Sequence, residues 1–466
     1  MKEQEDTEDW ADLELAENKM REMGVLVLER VLEELGRLKT RHAGGDWEEE
    51  ELWTQGPRSL QEDGSSDFAE IVDEILSRAQ PSFLTPGPGY LAYIPGGGLF
   101  PAALGSFLAA AINRFTGIRA AAPALVALEE EAIAWLREGL GFPSSVVGVL
   151  TPGGSIANFT AILCAREKLL GPNLRKGVLY CSDQVHHSVT KSARAAGILE
   201  DRQRKITVSD ALTMRPESLE RAIAEDRAKG LLPFCVVSSA GTTNTGAIDP
   251  LPAITKICRR EGLWHHIDGA YGGAFQLVED ARDLLPGILD GDSLTIDPHK
   301  GLFLPYGTGM LFVREREDLE RPHQGSAGYL PEDPAPGVFD PSHFSLELSR
   351  PFRGLPLWLA LRSFGLRRFR EALAEKLRCS TWLREELRRE EALEVLDGSL
   401  SVIAFRVKSG KAQELMEAVN QKGRVYLSGC WLGGEWVVRI CLLSFRTREA
   451  HVKKALEDVR EALHAI

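Results

Sequence analysis

The sequence predicts an α/β fold with a mainly parallel sheet, joined to an N-terminal helical arm and a small C-terminal α+β domain. Three observations carry this. Short apolar runs alternate with helix-patterned runs from residue 86 to residue 361. Residues 10–40 hold a helical apolar stripe with no strand pattern beside it. Beyond residue 362 the alternation gives way to two β-like runs and two helix-like runs. The expected division is therefore an arm and linker over 1–85, a large domain over 86–361 and a small domain over 362–466.

The arm comes first. Leu13, Ala16, Met20, Met23, Val27 and Val31 recur at three- and four-residue steps, and Leu28, Leu32 and Leu35 widen the stripe. The polar, glycine-rich stretch over 41–66 reads as a linker. An amphipathic arm on a loose linker must bury its apolar face somewhere, and a partner subunit is one such place.

The strands of the large domain are expected at Val178–Cys181, Phe234–Ser238, Leu263–Ile267 and Leu294–Ile296, all apolar enough for a sheet covered on both faces. Helices between them are well punctuated. One starts at Pro216 and stops at Gly230. Another has Asp249 as the expected N-cap, Pro250 in its first turn and Gly262 as its stop. In the small domain, "VIAFRV" and "WVVRICLLSF" read as strands, while "KAQELMEAVNQK" and the last 19 residues read as helices.

Composition narrows the function. The chain has 466 residues, 44% of them hydrophobic, enough for a large core. A net charge of −13 argues against nucleic acid and anionic membrane as partners. No charge-poor apolar run reaches the about 20 residues that a bilayer span needs. The acidic start "MKEQEDTEDWADLE" lacks the apolar core of a secretory signal. The seven cysteines are dispersed, odd in number and never spaced Cys-x-x-Cys, which suits idle thiols in a reducing cytoplasm and gives no metal site.

Five motifs could carry chemistry. In "TPGGSIAN", Gly153, Gly154 and Ser155 open a long helix, and such an N-terminus can cradle an anion; an ordinary serine cap is the plain alternative. In "DQVHHSV", His186 and His187 follow a strand end, where an imidazole can stack on a planar ring or simply be a satisfied histidine. "GTTNTG" sets Thr242 and Thr243 at another strand end, as ligands or as turn residues.

Asp268 in "HIDGAYGG" ends an apolar strand, where a carboxylate is costly unless it meets a cation or strong donors. Small residues beside it leave room for a ring. Lys300 in "DPHKG" follows His299. A lysine attacks a carbonyl only when neutral, which burial and neighbouring charges promote. Singly these are weak. Jointly they are a phosphate cradle, a stacking imidazole, a carboxylate for a pyridinium nitrogen and a Schiff-base lysine, the parts that pyridoxal 5′-phosphate (PLP) requires.

The ordered set "TPGGSIAN", "DQVHHSV", "GTTNTGAIDP", "HIDGAYGG", "DSLTIDPHKGLFLPYGTG" and "RPFRGLPLWLALRSFG" resembles the group II PLP-dependent amino-acid decarboxylases, nearest to the aromatic-L-amino-acid decarboxylases and their bacterial relatives. The resemblance implies the aspartate-aminotransferase-type fold (fold type I) and a homodimer with its site at the interface. It implies that Lys300 carries the cofactor, that Asp268 holds the pyridine nitrogen protonated, and that His186 stacks on the ring while His187 is only a neighbour. Gly154 and Ser155 would contact the phosphate. Thr243 and Ala270 would line the cofactor, with His299 preceding the lysine. Tyr90 and Tyr93 match a segment that supplies aromatic pocket wall; turn packing is their alternative. The expected reaction is decarboxylation of an L-amino acid, with an aromatic one favoured.

Several positions depart from the family. An ungapped alignment puts Pro341 where relatives carry a loop tyrosine that returns a proton, with Tyr329 upstream as a possible substitute. Arg119 stands at a frequent tryptophan, Gly301 at a large aromatic and Asp297 at an asparagine near the phosphate. A missing proton donor would favour an aldehyde-forming oxidative deaminase or another carbon–carbon lyase. An acidic amino-acid decarboxylase and a non-catalytic PLP-binding protein are the further alternatives.

Overall fold

The computed structural model describes residues 13–45, 67–325 and 337–466. Most of the expected linker, and Tyr329, lie outside those residues.

The larger sheet has seven strands: β1 (Val147–Thr151), β2 (Gly177–Ser182), β3 (Gln203–Ile206), β4 (Leu232–Ser239), β5 (Trp264–Asp268), β6 (Ser293–Ile296) and β7 (Gly309–Val313). Their spatial order is β1-β7-β6-β5-β4-β2-β3. The pairs from β3 through β2, β4 and β5 to β6 are parallel. Only β7 runs the other way, against β6 and β1. Two reversals cancel, so β1 points with β6, and the loops after β1, β2, β4, β5 and β6 gather at one edge.

The apolar runs that announced these strands are continuous because both faces are covered. Leu179, Cys181, Cys235 and Val237 belong to one core, while the alternating Val178, Tyr180 and Val236 belong to another on the opposite face. Strands β1, β3 and β7 went unread from sequence. β1 and β7 are short and begin beside glycine, and β3 (QRKI) is polar.

The second sheet is antiparallel, ordered β10-β11-β9-β8, from β8 (Leu393–Val395), β9 (Val402–Val407), β10 (Ser428–Leu432) and β11 (Glu435–Cys441). Helices Ala412–Gln421 and Glu449–Ala465 cover it, setting Leu415, Val419, Val452 and Val459 against Phe405, Val438 and Ile440. Two of its strands were not anticipated. β8 is three residues long, and β10 contains Gly429, where a Cβ would come within 2.6 Å of Trp436.

Helix Gly354–Arg388 joins the two cores: Leu357, Ala360 and Phe369 pack in the first, Leu383 and Leu387 in the second. It bends at Gly365, whose φ of 66° suits glycine. The boundary expected between 361 and 362 thus falls inside a helix.

The arm is helix Glu17–Arg37, and none of its residues is buried. It is tied to helix Phe68–Ala79 by Arg30, which donates to both Asp73 carboxylate oxygens at 2.7 and 3.2 Å. Asp249 does not cap the next helix as expected. That helix begins at Leu251, and Asp249 instead accepts the main-chain N–H groups of Met214 (2.7 Å) and Ser239 (2.8 Å), fixing the end of β4. All seven cysteines are free. Among the described residues no helix is long and apolar enough to cross a membrane.

Candidate active site

The gathered strand ends enclose a cavity of about 340 Å³, within the roughly 300–1,000 Å³ of small-molecule sites. Its wall includes Gly154, Ser155, His186, Thr243, Asp268, Ala270, His299 and Lys300. These come from five separate loops, so the fold brings together what the sequence spreads over some 150 positions.

The Gly154–Leu169 helix starts there. Gly153 caps it at φ 153°, a conformation that glycine permits, and the N–H groups of Gly154 and Ser155 have no protein acceptor among the described residues. A Cβ on Gly154 would lie 2.8 Å from Asp297 Oδ2 and 3.1 Å from the Ala270 methyl, so only glycine leaves the cradle open.

Asp268 ends β5 and is 7% exposed. Its Oδ1 accepts from Ala270 N–H at 3.1 Å and its Oδ2 from Asn158 Nδ2 at 2.8 Å. A buried carboxylate with two donors keeps further lone pairs for a cation facing it from the cavity.

His186 precedes helix His187–Ala195. Its Nδ1 lies 2.8 Å from Ser188 Oγ and 3.3 Å from Ser188 N–H, so Nδ1 accepts and the ring proton sits on Nε2. Burial holds its pKa below the ordinary histidine value, so the ring is neutral. His187 is exposed and outside the cavity wall.

Lys300 lies on the short turn Pro298–Gly301 after β6. Its Nζ is 3.0 Å from Asp297 Oδ2, and His299 Nε2 is 3.7 Å from the same oxygen. His299 Nδ1 donates to the Thr308 carbonyl at 2.7 Å, which aims Nε2 inward. The other Asp297 oxygen, Oδ1, is buried with no hydrogen-bond partner among the described residues. Thr242 closes its own turn through Thr245 and Ala247, and it and Thr243 both line the cavity.

Tyr90 and Tyr93 are not in that wall. Tyr90 is buried and stacks on Tyr426, with centroids 6.0 Å apart; Tyr93 is exposed, at φ 50°. Pro341 is buried in a turn over Pro341–His343 that Asp340 caps, and it too lies outside the wall. Arg119 does not face the cavity. Its main-chain N–H donates to Asp340 at 2.8 Å and its guanidinium to Glu130 at 2.8 Å and the Phe339 carbonyl at 3.1 Å, so it clamps the start of that turn.

Residues 54–408 match the pyridoxal-dependent decarboxylase conserved domain. An aromatic-L-amino-acid decarboxylase of Bacillus atrophaeus is 32% identical, over 96% of each chain. This chain belongs to the pyridoxal-dependent decarboxylase family. Its other relatives include a phenylacetaldehyde synthase of Arabidopsis thaliana, 28% identical over 86% of this chain and 87% of that one. The crystal structure of Catharanthus roseus tryptophan decarboxylase in complex with L-tryptophan superposes with a TM-score of 0.89 at 25% identity, covering 97% of this chain and 99% of that one.

The decarboxylase fold is therefore type I, its cofactor is PLP, and it is an amino-acid carboxy-lyase. The cavity fits that cofactor: free N–H donors for a phosphate, a two-donor carboxylate for a ring nitrogen and an amine beside them. Sequence reading missed Asn158 and Ser188, which line the same decarboxylase cavity. The signal for Asn158 was present. It lies one helical turn past Gly154, a polar residue among Ala157, Ala161 and Ile162.

Proposed function

We propose that this chain decarboxylates an aromatic L-amino acid to the amine and CO2. The observation that supports this most is the convergence of Lys300, Asp268, His186 and the open helix N-terminus at Gly154 and Ser155 on one cavity. The names of the relatives supply the aromatic substrate class.

PLP, when bound, supplies an electron sink for the bond to the departing carboxylate. The chain's own residues do the rest. Gly154 and Ser155 offer main-chain N–H groups to the phosphate. Asp268 holds a proton at the ring nitrogen, and its two donors keep the carboxylate aimed. His186 presents a flat, neutral imidazole to the ring face. Thr243 and Ala270 bound the ring. Lys300 would provide the amine that holds the cofactor, with the Asp297 carboxylate 3.0 Å from it.

In this reading residues 1–85 are an N-terminal helical arm and linker, 86–361 the PLP-binding domain and 362–466 a small α+β domain. The enzyme is a cytoplasmic homodimer. Support for the dimer comes from exposed apolar side chains on two helices, Leu28 and Leu32 on Glu17–Arg37 and Phe107 (68% exposed) on Phe100–Ile112.

A CO2-release screen over the common L-amino acids with added PLP tests the proposal. Release confined to aromatic substrates supports it; release only from acidic ones, or from none, overturns it. Lys300→Ala should abolish turnover, and full activity in that variant would remove Lys300 from its role. One observation favours a second reading, an aldehyde-forming oxidative deaminase: buried Pro341 cannot return a proton, and a phenylacetaldehyde synthase is among the relatives. Aldehyde, ammonia and peroxide in place of amine, under air, would decide for it.

A further inference from the structure

Asp268 and His186 are 82 residues apart in sequence, yet one amide touches the network of both. Asn158 Nδ2 lies 2.8 Å from Asp268 Oδ2 and 3.1 Å from Ser188 Oγ. Asn158 Oδ1 lies 2.9 Å from His266 Nε2 and 2.9 Å from Thr295 Oγ1. His266 Nδ1 lies 2.8 Å from Ser293 Oγ, which is also 2.9 Å from Trp264 Nε1. Asn158, Ser188, His266, Ser293, Thr295 and Trp264 are all buried.

Donor accounting leaves one arrangement of protons. Asp268 as a carboxylate only accepts, so Asn158 must turn its Nδ2 toward it and its Oδ1 away. His266 Nε2 then has to donate to Oδ1, as Thr295 does. At the far end Trp264 Nε1–H only donates, so Ser293 Oγ accepts from it. Burial lowers the His266 pKa to about 4, so the ring is neutral with its proton on Nε2, and Nδ1 accepts the Ser293 hydroxyl proton. The second Nδ2 hydrogen of Asn158 goes to Ser188 Oγ, so Ser188 gives its proton to His186 Nδ1. Every member is satisfied, and the chain reads in one direction from Trp264 to the two groups facing the cavity.

We propose that Asn158 is a positioning residue that aims the Asp268 carboxylate and, through Ser188, fixes the His186 tautomer, and that His266 holds Asn158 in the one orientation that does both. This rests on the reading that Asp268 faces a PLP ring nitrogen. A residue acting through Asp268 should matter only when the bound ring has a basic nitrogen, whereas a residue that merely fills space should matter equally for any ring.

The test is cofactor affinity of the full chain, by absorbance and fluorescence titration with PLP and with its carbocyclic 1-deaza analogue. Asn158→Leu should bind PLP about tenfold or more weakly than wild type, the loss of one hydrogen bond to a charged group. It should bind the deaza analogue within about threefold of wild type. His266→Gln keeps an N–H for Asn158 Oδ1 and should hold PLP within about threefold. Should Asn158→Leu not fold, the isosteric Asn158→Asp, which replaces the donor facing Asp268 by an acceptor, serves the same comparison. Equal losses for the two ligands, or no loss for either, would overturn the proposal. Wild-type chain that binds the two ligands equally would instead overturn the role of Asp268 on which it rests.

Discussion

Asp297 Oδ2 lies 3.0 Å from Lys300 Nζ and within 2.8 Å of where a Cβ on Gly154 would stand, so one carboxylate touches both the amine and the phosphate cradle. Related decarboxylases are expected to carry asparagine there. A carboxylate beside a phosphate is repelled. Asp297→Asn should therefore bind PLP more tightly, by roughly tenfold, in a fluorescence titration. Weaker binding would show that the carboxylate itself is needed at this position.

Asp268 is held by Ala270 N–H and Asn158 Nδ2, and its charge is what it offers the cavity. Asp268→Asn keeps the shape and removes the charge. Removing a preorganised electrostatic group typically costs roughly a hundredfold or more in kcat. Steady-state kinetics with saturating PLP should show that loss in kcat, with KM little changed. A loss confined to KM would place Asp268 in substrate binding instead.

Gly301 replaces an expected aromatic, and the structure gives the reason. A Cβ there would meet the Ala274 methyl at 2.3 Å, in a turn packed beneath Lys300. Gly301→Ala should cost about 1–3 kcal/mol of stability through overpacking, read as a lowered urea midpoint. An unchanged midpoint would show that the Gly272–Leu277 turn can move aside.

His265 and His266 are buried side by side on β5, and burial lowers their pKa values to about 3 and about 4. Both lie below the unfolded value of about 6.5, so on acidification the unfolded chain takes up protons first. Their contribution is complete above about pH 6.5 and is lost as pH falls toward the folded values, at up to about 1.4 kcal/mol per pH unit for each histidine. Asp249, raised to about 6 by burial, works in the opposite sense at the lower end of that range. The difference between two proteins isolates one histidine. Between pH 6.5 and 5, His265→Gln should show a shallower decline of unfolding free energy than wild type, by about 1 kcal/mol per unit. Parallel declines would mean that His265 is charged in the fold.

Much of the site was legible in sequence because its parts are local. Each of Gly154, His186, Thr243, Asp268 and Lys300 sits where an apolar run stops and a glycine, polar turn or helix begins, and a strand end is where such groups can face a ligand. What was not legible is long-range. Arg119 clamps Asp340, 221 positions away, and Asn158 meets His266 and Asp268 across more than 100. No spacing along the chain announces such contacts. The strands that escaped notice, β1, β3, β7, β8 and β10, are short, polar or carry glycine, and take their conformation from pairing with neighbours rather than from their own pattern. Asp249 misled for a related reason: it resembles a helix cap, but two N–H donors brought by the fold compete for it.

A proton returned to the substrate carbon separates the two proposed products. Pro341 is fixed in a buried turn by the Asp340 cap and the Arg119 clamp, and a proline side chain has no proton to give. Tyr329 lies outside the described residues and is the nearest tyrosine upstream of Pro341 in the sequence. If it returns the proton to the substrate carbon, Tyr329→Phe should leave PLP affinity unchanged and move the product under air from amine toward aldehyde, because the carbanion then survives long enough to meet oxygen. Amine and aldehyde measured together by chromatography, with peroxide as the balancing product, read this directly. An unchanged amine yield in Tyr329→Phe would show that the proton comes from another group, and His186, whose Nε2–H is the one ring proton left free by the Ser188 contacts, would be the next to replace.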